Sequence, residues 1–302
     1  MIFIPSHSLS LIHPPFLKAS KIKHPKKVYV LHGLEIINSK EYYGFRDRIL
    51  HAYLIKHSLK KADQIISVSQ TSTNLAKKFF KIPDFKITTL YQSVKITNCS
   101  NQQEKPNFKN YFLFLGNWTP RKNILNLIKA FCLLKKSKKI SRNTKLILLG
   151  DKNYNRSFIN RIFRNPLKKD YQASVIELIK KSKFKKSIIL LNYSSDENRD
   201  CLIKNAKALV MPSFDEGFGR TVLESLFLKT PVIISNIPVF KEIYGDTKKG
   251  VTFINPDKPK NIANALYKTL KNNKKPTKDD IQNLKLKYDW EKISKKVIEI
   301  LI

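Results

Sequence analysis

The fold of this chain is decided by the stretch Met211-Pro212-Ser213-Phe214-Asp215-Glu216-Gly217-Phe218-Gly219-Arg220-Thr221-Val222-Leu223-Glu224. The apolar residues 207–210 before it predict a buried strand, and residues 221–228 after its glycines predict a helix. Residues 231–235 predict the next strand. The glycines therefore lie where a strand passes into a helix N-terminus. Unpaired backbone N–H groups and the positive end of the helix dipole favour a phosphate at such a point.

Two glutamates, Glu216 and Glu224, stand eight residues apart around this Gly-Phe-Gly turn. An ionised carboxylate only accepts hydrogen bonds, whereas the hydroxyl groups of a sugar can donate them. We therefore predict a site for a sugar attached to a phosphate, with both carboxylates lining an open cleft. Taken alone, the four residues from Glu216 to Gly219 would also fit an ordinary surface turn with solvated glutamates.

Short apolar strands alternate with amphipathic helices along the chain, which predicts helices layered on parallel sheets. In the first half, strands are predicted at 27–31, 64–68 and 87–90, with helices at 46–61 and 71–80. Ser69 or Thr71 is the predicted cap of the second of these helices. In the second half, strands are predicted at 111–115, 145–149 and 187–191, with helices at 124–135, 171–181 and 197–204. A polar stretch, 97–110, separates the halves and is the candidate linker. Ligands of such doubly wound sheets bind at the carboxyl ends of the strands, where Gly116, Gly150 and Glu216 fall.

The charge balance is unusual, because the chain has 58 Lys and Arg residues and only 23 Asp and Glu residues. Its net charge is therefore +35. Three explanations stay open: biased composition with solvated lysines, binding to anionic lipid, and binding to nucleic acid. The lysines are dispersed, and no zinc finger, RNP box or recognition helix is present, which argues against specific nucleic-acid recognition. The predicted helix 46–61 places basic residues beside apolar ones, so it would suit an anionic membrane surface.

Other features of the composition exclude broad classes of protein. The hydrophobic fraction of 42% is that of a globular protein, and no apolar run reaches the roughly 18 residues of a membrane-spanning helix. Three scattered cysteines without a C-x-x-C motif favour free thiols in a reducing, cytoplasmic compartment. All six histidines lie within the first 57 residues and lack the spacing of a zinc site, so no metal site is predicted.

The complete stretch 211–224 closely resembles the signature of glycosyltransferase family 4, retaining enzymes of the GT-B fold that use nucleotide-sugar donors. The resemblance continues through Thr230-Pro231-Val232, Ile237-Pro238-Val239-Phe240-Lys241-Glu242-Ile243 and Gly245-Asp246. It implies that Glu216 holds hydroxyl groups of the donor sugar and that Glu224 holds the ribose. The residues that would complete the donor-binding turn are Gly217, Phe218, Gly219, Thr221 and Val222.

A second motif is Phe114-Leu115-Gly116-Asn117-Trp118-Thr119-Pro120-Arg121-Lys122-Asn123. It is similar to the Gly-x-x-x-Pro-Arg-Lys-Asn turn of that family. Two fixed cations beside a strand end would stabilise a diphosphate leaving group. Cations are disfavoured at a helix N-terminus, so their presence predicts a neutralising anion, although a solvated pair is the alternative. The resemblance implies that Lys122 binds phosphate, that Arg121 supports it, and that Gly116 and Asn117 lie against the donor; many members carry an arginine in place of Asn117.

In the first half, Val30-Leu31-His32-Gly33-Leu34 resembles a strand-end segment of the same family. The resemblance implies that His32 faces the interdomain cleft and helps to position the donor sugar, whereas a purely structural histidine is the alternative. Family members carry two further strand–helix units before the region matching Pro5-Ser6-His7-Ser8. We therefore expect that roughly 60 or more residues of the first domain are missing.

The expected fold class is α/β of the GT-B type, with two Rossmann-like doubly wound domains of which the first is incomplete. We expect a partial acceptor-side domain at 1–105, a donor-binding domain at 106–285 and a C-terminal crossover helix at 286–302. The resemblance implies transfer of a hexose from a nucleoside-diphosphate sugar to a hydroxyl of a glycan or lipid-linked acceptor, with retention. It further implies a role in bacterial envelope polysaccharide or lipopolysaccharide synthesis.

No cofactor is expected besides the nucleotide-sugar co-substrate, because Lys122 and helix-end amides would offset the phosphate charge without a metal ion. Asp279-Asp280 lies in a Lys- and Asn-rich stretch and is expected to be solvated. The expected location is the cytoplasm, peripheral on the inner face of the plasma membrane. Two alternatives stay open: a non-catalytic remnant that only binds nucleotide sugar, and a basic protein that binds nucleic acid or a membrane surface.

Overall fold

The computed structural model describes residues 27–38, 45–97, 108–150, 166–192 and 195–301. The first group of elements is β1 (Val28–Leu31), α1 (Glu35–Asn38), α2 (Phe45–Lys61), β2 (Gln64–Ser67), α3 (Gln70–Phe80) and β3 (Ile87–Thr89). The second group is β4 (Tyr111–Leu115), α4 (Ile124–Lys136), β5 (Lys145–Leu149), α5 (Pro166–Lys181), β6 (Ile188–Leu191), α6 (Asp196–Asn205), β7 (Ala208–Met211), α7 (Arg220–Phe227), β8 (Val232–Ser235), α8 (Pro238–Tyr244), β9 (Val251–Ile254), α9 (Pro259–Lys271), α10 (Lys278–Lys287) and α11 (Trp290–Leu301).

The two groups form separate parallel sheets. Among the described residues the first sheet has the order β1-β2-β3, with Val28 opposite Gln64 and Ile65 opposite Ile87. β1 and β2 are mostly apolar and buried, as expected of parallel strands that are covered on both faces, whereas the edge strand β3 has the sequence Ile-Thr-Thr with Thr88 exposed. The predicted α/β class with parallel, Rossmann-like sheets is confirmed.

The second sheet determines where a ligand can bind. Its strands lie in the order β6-β5-β4-β7-β8-β9, which is the 3-2-1-4-5-6 order of a doubly wound sheet when counted from β4. The order reverses between β4 and β7, and the connections leave a crevice beyond the carboxyl ends of these two strands. The basic turn follows β4 and the signature loop follows β7, so both motifs lie at this crevice.

The side chains of β4 show how the core is divided. Tyr111 and Leu113 belong to one apolar cluster, whereas Phe112 and Phe114 belong to another, because successive side chains of a strand point to opposite faces. The first of these clusters also contains Val30 from the first sheet. Apolar packing therefore joins the two sheets. The partly buried apolar residues of α11 pack against the same cluster.

The helix starts follow from local capping. Ser69, one of the two predicted caps of α3, accepts a hydrogen bond from the backbone N–H of Ser72. Most predicted boundaries agree with the structure to within one or two residues. The stretch 98–107, which contains the predicted boundary between domains at 105, lies outside the described residues.

Two expectations about residues outside the predicted donor site are wrong. Asp280 is buried rather than solvated, because it accepts hydrogen bonds from Thr277 and completes a capping box at the start of α10. Cys201 is disulfide-bonded, so the expected free thiol is found at Cys132 but not at Cys201.

In the part of the chain that is described, the helices are too short or too polar to cross a membrane.

Candidate functional site

The basic turn is held in place by Asn123. The backbone of Asn123 has φ of 57°, a left-handed conformation that separates the short turn Pro120–Lys122 from α4. Its side-chain amide donates hydrogen bonds to the carbonyl oxygens of Pro212, at 3.0 Å, and Pro256, at 2.8 Å. Asn123 thereby ties the end of β4 to the end of β7 and fixes the adjacent Lys122 at the crevice.

The cations of the turn meet a carboxylate of the signature loop. Lys122 Nζ lies 2.6 Å from Glu216 Oε1, and Arg121 Nη1 lies 3.1 Å from Glu216 Oε2. Arg121 also donates to the carbonyl oxygen of Asp215. The anion predicted beside these cations is thus supplied by the protein itself. Glu216 is only 8% exposed, so the expectation that it lines an open cleft is wrong.

The electrostatics of this cluster favour an ionised Glu216. Burial by itself would raise the pKa of Glu216, but the charges of Lys122 and Arg121 outweigh burial and lower the pKa to about 2. A buried ion pair that loses one partner leaves an uncompensated charge. Any ligand that draws Lys122 away must therefore compensate Glu216 with other hydrogen-bond donors.

The glycines of the signature loop allow the first sheet to approach. A Cβ atom added to Gly217 would overlap the carbonyl oxygen of His32, so only glycine permits this contact. Gly219 has φ of 88° and precedes α7, where a side chain would also meet the ring of Phe240. The loop is therefore packed tightly between the end of β1 and α8.

Glu224 lies one turn into α7 and is 4% exposed, so it too fails to line an open cleft. Its Oε1 lies 3.9 Å from Arg199 Nη2, on α6. Burial raises the pKa of Glu224, and the charge of Arg199 opposes this shift without cancelling it. Arg199 also contacts the fully buried Asp200 at 2.8 Å, and Asp200 in turn accepts from Thr97.

His32 follows β1 and faces the signature loop through its backbone. Its Nδ1 lies 3.1 Å from Gln92 Nε2, and the imidazole is half-buried. The structure therefore brings His32 to the same region as Glu216 and Lys122. The role predicted for its side chain, positioning of the donor sugar, stays a prediction.

Two residues of α1, Glu35 and Asn38, also belong to the cluster, although the sequence did not predict them as site residues. Glu35 Oε1 lies 3.8 Å from Arg121 Nη1, and burial raises the pKa of Glu35 although Arg121 opposes the shift. Asn38 Nδ2 donates to Asp215 Oδ2 at 2.9 Å. The only local signal is that both residues follow closely on the His32-Gly33-Leu34 segment.

The remaining residues predicted to bind the donor differ in how much of their side chains is exposed. Phe218 and Val222 are buried in the core, so only their backbone could face a ligand. Phe218 packs edge-on against Tyr288, with ring centroids 5.6 Å apart. Asn117 is exposed and Thr221 is half-buried. Gly116 lies beside Lys122, whose Cε would be 3.7 Å from an added Cβ.

Comparison with known proteins places this site in a family. The family model for glycosyl transferases group 1 matches residues 95–285. The chain is 30% identical over 224 residues to the O-antigen chain mannosyltransferase RfbU of Salmonella typhimurium, covering 74% of this chain and 55% of that protein. It is 27% identical over 231 residues to O-antigen chain mannosyltransferase B of Escherichia coli, covering 73% and 56%. The chain thus spans about half the length of these curated relatives.

Solved structures resemble the whole described fold. A sucrose-phosphate synthase from Thermosynechococcus elongatus aligns with a TM-score of 0.71 at 16% identity, covering 94% of this chain and 69% of that chain. HepE from Anabaena, solved in complex with UDP-glucose, aligns with a TM-score of 0.68 at 16% identity, covering 91% and 71%. These likenesses confirm the GT-B architecture. Because the family match includes the basic turn, the signature loop and the doubly wound sheet that joins them, this chain belongs to the glycosyl transferases group 1.

Proposed function

We propose that this protein transfers a hexose from a nucleoside-diphosphate sugar to a hydroxyl of a glycan or lipid-linked acceptor during synthesis of lipopolysaccharide O-antigen. The observation that carries the proposal is the buried cluster of Lys122, Arg121 and Glu216 at the crevice of the donor sheet. Both curated relatives described above are O-antigen mannosyltransferases, so mannose is the first donor sugar to test. Transfer is expected to retain the anomeric configuration.

The cluster suggests how the donor is accommodated. Within the protein, Glu216 is the anion that pairs with Lys122 and Arg121. A donor diphosphate would take over these cations, since it carries more charge and more acceptor oxygens. The oxygens of Glu216 would then accept hydrogen bonds from hydroxyl groups of the donor sugar. Glu216 therefore changes partners within the same site when the donor binds.

The other predicted residues complete the donor site in this proposal. The backbone of residues 217–219 and the first amides of α7 would receive the donor at a helix N-terminus. Glu224 would accept hydrogen bonds from the ribose hydroxyls, with Arg199 holding its carboxylate. His32 would position the sugar from the side of the first sheet. The departing phosphate would assist removal of the acceptor proton, so no protein nucleophile is required.

The positive charge for the diphosphate would come from Lys122, Arg121 and backbone amides, without a divalent ion. Fixed cations can stabilise a leaving diphosphate by offsetting the charge that develops on it. This proposal makes the reaction insensitive to chelators.

A peripheral position on an anionic membrane is a further part of the proposal. On α2, Phe45 is 72% exposed, Ile49 is 53% exposed and Tyr53 is 65% exposed. These residues are four apart, so they form one apolar stripe on the helix. Lys56 and Lys60 are exposed on the same helix. Basic residues beside an exposed apolar stripe favour binding to the surface of an anionic bilayer.

The decisive experiment measures melting temperature with UDP-, GDP- and ADP-sugars, for the parent and for Lys122→Met. We expect one class of nucleotide sugar to stabilise the parent and to have little effect on Lys122→Met, because the phosphate has lost its main cation. Lys260→Met changes an exposed lysine on α9 and serves as the control. A parent that no nucleotide sugar stabilises would contradict the proposal.

Donor turnover separates an enzyme from a non-catalytic remnant. We expect the parent to release nucleoside diphosphate from the donor that stabilises it, and to do so faster with a lipid-linked glycan acceptor. Binding without any turnover would favour the remnant. Oligonucleotides that displace the nucleotide sugar in a salt-dependent manner would favour the nucleic-acid alternative.

A further inference from the structure

Glu242 belongs to the family-like segment Ile237–Ile243, yet it has no place in the donor site described above. It lies on α8, beside the second sheet, and is half-buried. Its carboxylate contacts the N-terminus of α3, which belongs to the first group of elements. The contact therefore bridges the two groups of elements.

The carboxylate of Glu242 is densely hydrogen-bonded there. Oε1 accepts from the backbone N–H of Gln70 at 2.7 Å. Oε2 accepts from the backbone N–H of Thr71 at 2.8 Å and from its hydroxyl at 2.5 Å. The Tyr91 hydroxyl also bonds to Glu242; burial, assisted by this carboxylate, raises the pKa of Tyr91 to about 12.

These contacts complete the cap of α3 from outside its own sheet. The first amides of a helix have no partner within the helix. Ser69 takes the N–H of Ser72, whereas Glu242 takes those of Gln70 and Thr71. The first turn of α3 contains no acidic residue of its own, so Glu242 also supplies the negative charge that a helix N-terminus favours.

The same contact lies beside the place where the first sheet meets the signature loop. Tyr91, bonded to Glu242, packs against Phe218 of the signature loop and against Tyr288, with ring centroids 6.4 Å and 5.6 Å apart. Nearby, the carbonyl oxygen of His32 lies against Gly217 with no room for a side chain. A change in the approach of α8 to α3 would therefore move His32 relative to the signature loop.

We propose that Glu242 is a positioning residue, a carboxylate latch that holds the first sheet against the donor-binding sheet and so sets how closely His32 approaches the signature loop. The latch holds the two sheets together whether or not a donor is bound. Its effect on catalysis rests on the proposed glycosyl transfer, because only then does this approach govern how His32 and Glu216 meet a donor sugar.

Gln70 offers a matched pair of variants. Gln70→Pro removes the N–H that donates to Glu242, and proline is well tolerated at the first position of a helix. Ser69, which precedes it, has φ of −156° and ψ of 155°, the extended conformation that a residue before proline prefers. Gln70→Ala keeps the N–H and removes the side-chain bonds to Asn74 and Thr89, so it is the control. Glu242→Gln tests the carboxylate itself.

Small-angle X-ray scattering of the ligand-free proteins gives the first readout. We expect Gln70→Pro and Glu242→Gln to increase the radius of gyration, with unchanged far-ultraviolet circular dichroism, and Gln70→Ala to match the parent. If Glu242→Gln fails to fold, Gln70→Pro alone decides. A parent-like radius for Gln70→Pro, or the same increase for Gln70→Ala, would overturn the latch.

Kinetics gives the second readout. We expect both latch variants to raise the KM for the donor about tenfold, the loss expected for one hydrogen bond to a charged group, with kcat reduced less than KM is raised. An unchanged KM in a variant with an increased radius would overturn the catalytic part of the proposal. If no variant and no parent turned over any donor, the proposed function would fail while the scattering result on the latch would stand.

Discussion

Glu216 would have to change partners in the proposed reaction. It neutralises Lys122 and Arg121 within the protein, yet the proposed reaction requires the same cations for a diphosphate. An internal anion would compete with the ligand for these cations. Part of the binding free energy of the donor would therefore be consumed in separating Glu216 from Lys122.

Replacing Glu216 by glutamine tests this competition. We expect Glu216→Gln to bind inorganic pyrophosphate more tightly than the parent, by about threefold to tenfold, because the competing charge is gone. The variant should melt at a lower temperature, since Lys122 and Arg121 are left without a counter-ion, and pyrophosphate should restore much of the loss. Donor turnover should fall at least tenfold, because the sugar hydroxyls lose a charged acceptor.

Calorimetric titration and melting curves with pyrophosphate check this prediction. Glu177→Gln is the control, because Glu177 forms an exposed pair with Lys181 on α5. Weaker binding of pyrophosphate by Glu216→Gln than by the parent would show that Glu216 supports the anion site instead of competing for it.

The burial of Glu224 predicts how the affinity for nucleoside diphosphate depends on pH. Burial raises the pKa of Glu224 above that of an ordinary glutamate, so its ionised form is lost at a higher pH. Only the ionised form can accept hydrogen bonds from two ribose hydroxyls through both oxygens. We expect nucleoside diphosphate affinity to fall as the pH drops through the raised pKa.

In Glu224→Gln, the affinity for nucleoside diphosphate should no longer fall as the pH drops. At neutral pH the substitution should weaken the binding of nucleoside diphosphate by about ten- to a hundredfold. This corresponds to about 1.5–3 kcal/mol for charge-assisted hydrogen bonds. Calorimetric titration between about pH 5 and pH 8 checks both statements, with chromatographic monitoring of folding. Parent-like affinity in the variant would make Glu224 a structural residue.

At the scale of elements, α2 carries the membrane proposal. We expect the protein to sediment with vesicles that contain phosphatidylserine, less so at high salt, and hardly at all with phosphatidylcholine vesicles. Tyr53→Ser should weaken the binding, because it removes an exposed ring from the apolar stripe. Leu133→Ser changes an exposed apolar residue on α4 and should have no effect. Equal sedimentation with neutral and anionic vesicles would contradict the proposal.

The N-terminus of α10 depends on Asp280. Its carboxylate accepts from Thr277 Oγ1 at 2.6 Å and from the backbone N–H of Lys248 at 2.9 Å. Asp280→Ala should lower the free energy of unfolding by about 1–3 kcal/mol, because a cap is lost and buried amides are left without partners. Denaturant titration checks this value. Asp279→Ala, an exposed neighbour, should stay within about 0.5 kcal/mol of the parent.

The contribution of Asp280 should also depend on pH in a defined direction. Burial would raise its pKa, but the hydrogen bonds from Thr277, Lys248 and Lys249 outweigh burial and lower the pKa below that of an ordinary aspartate. A carboxyl group with a lowered pKa in the folded state stabilises the fold above its ordinary pKa. The stability difference between parent and Asp280→Ala should therefore shrink as the pH falls from about 4 through the lowered pKa.

At the scale of the whole molecule, the proposed charge balance makes a prediction about metals. If Lys122, Arg121 and backbone amides offset the diphosphate, EDTA should leave donor binding and turnover nearly unchanged. Turnover assays with and without EDTA, and with added Mg²⁺ or Mn²⁺, check this. A strict requirement for a divalent ion would mean that the cations of the basic turn do not suffice for the phosphate.

Local sequence patterns determined most of the architecture. Strand β4 was predicted at the bounds that the structure has, since five consecutive apolar residues followed by Gly116 are typical of a buried parallel strand. Ser69 was predicted as a cap because a hydroxyl before a helix start satisfies a free amide there. The signature loop and the basic turn were recognised because their chemistry is contiguous in the chain.

Only the tertiary structure decided which residues meet across the fold. Nothing local indicated that Glu216 would be buried against Lys122, that Glu35 would reach Arg121, or that Glu242 would cap a helix of the other sheet. These pairs are separated by between 86 and 171 residues in sequence. A carboxylate looks the same in a sequence whether it is solvated or paired, because burial and partners are set by the packing of distant elements. The sequence alone therefore determined the elements, the family and the position of the candidate site, whereas the packing of the two sheets decided the charge state and the partners of its residues.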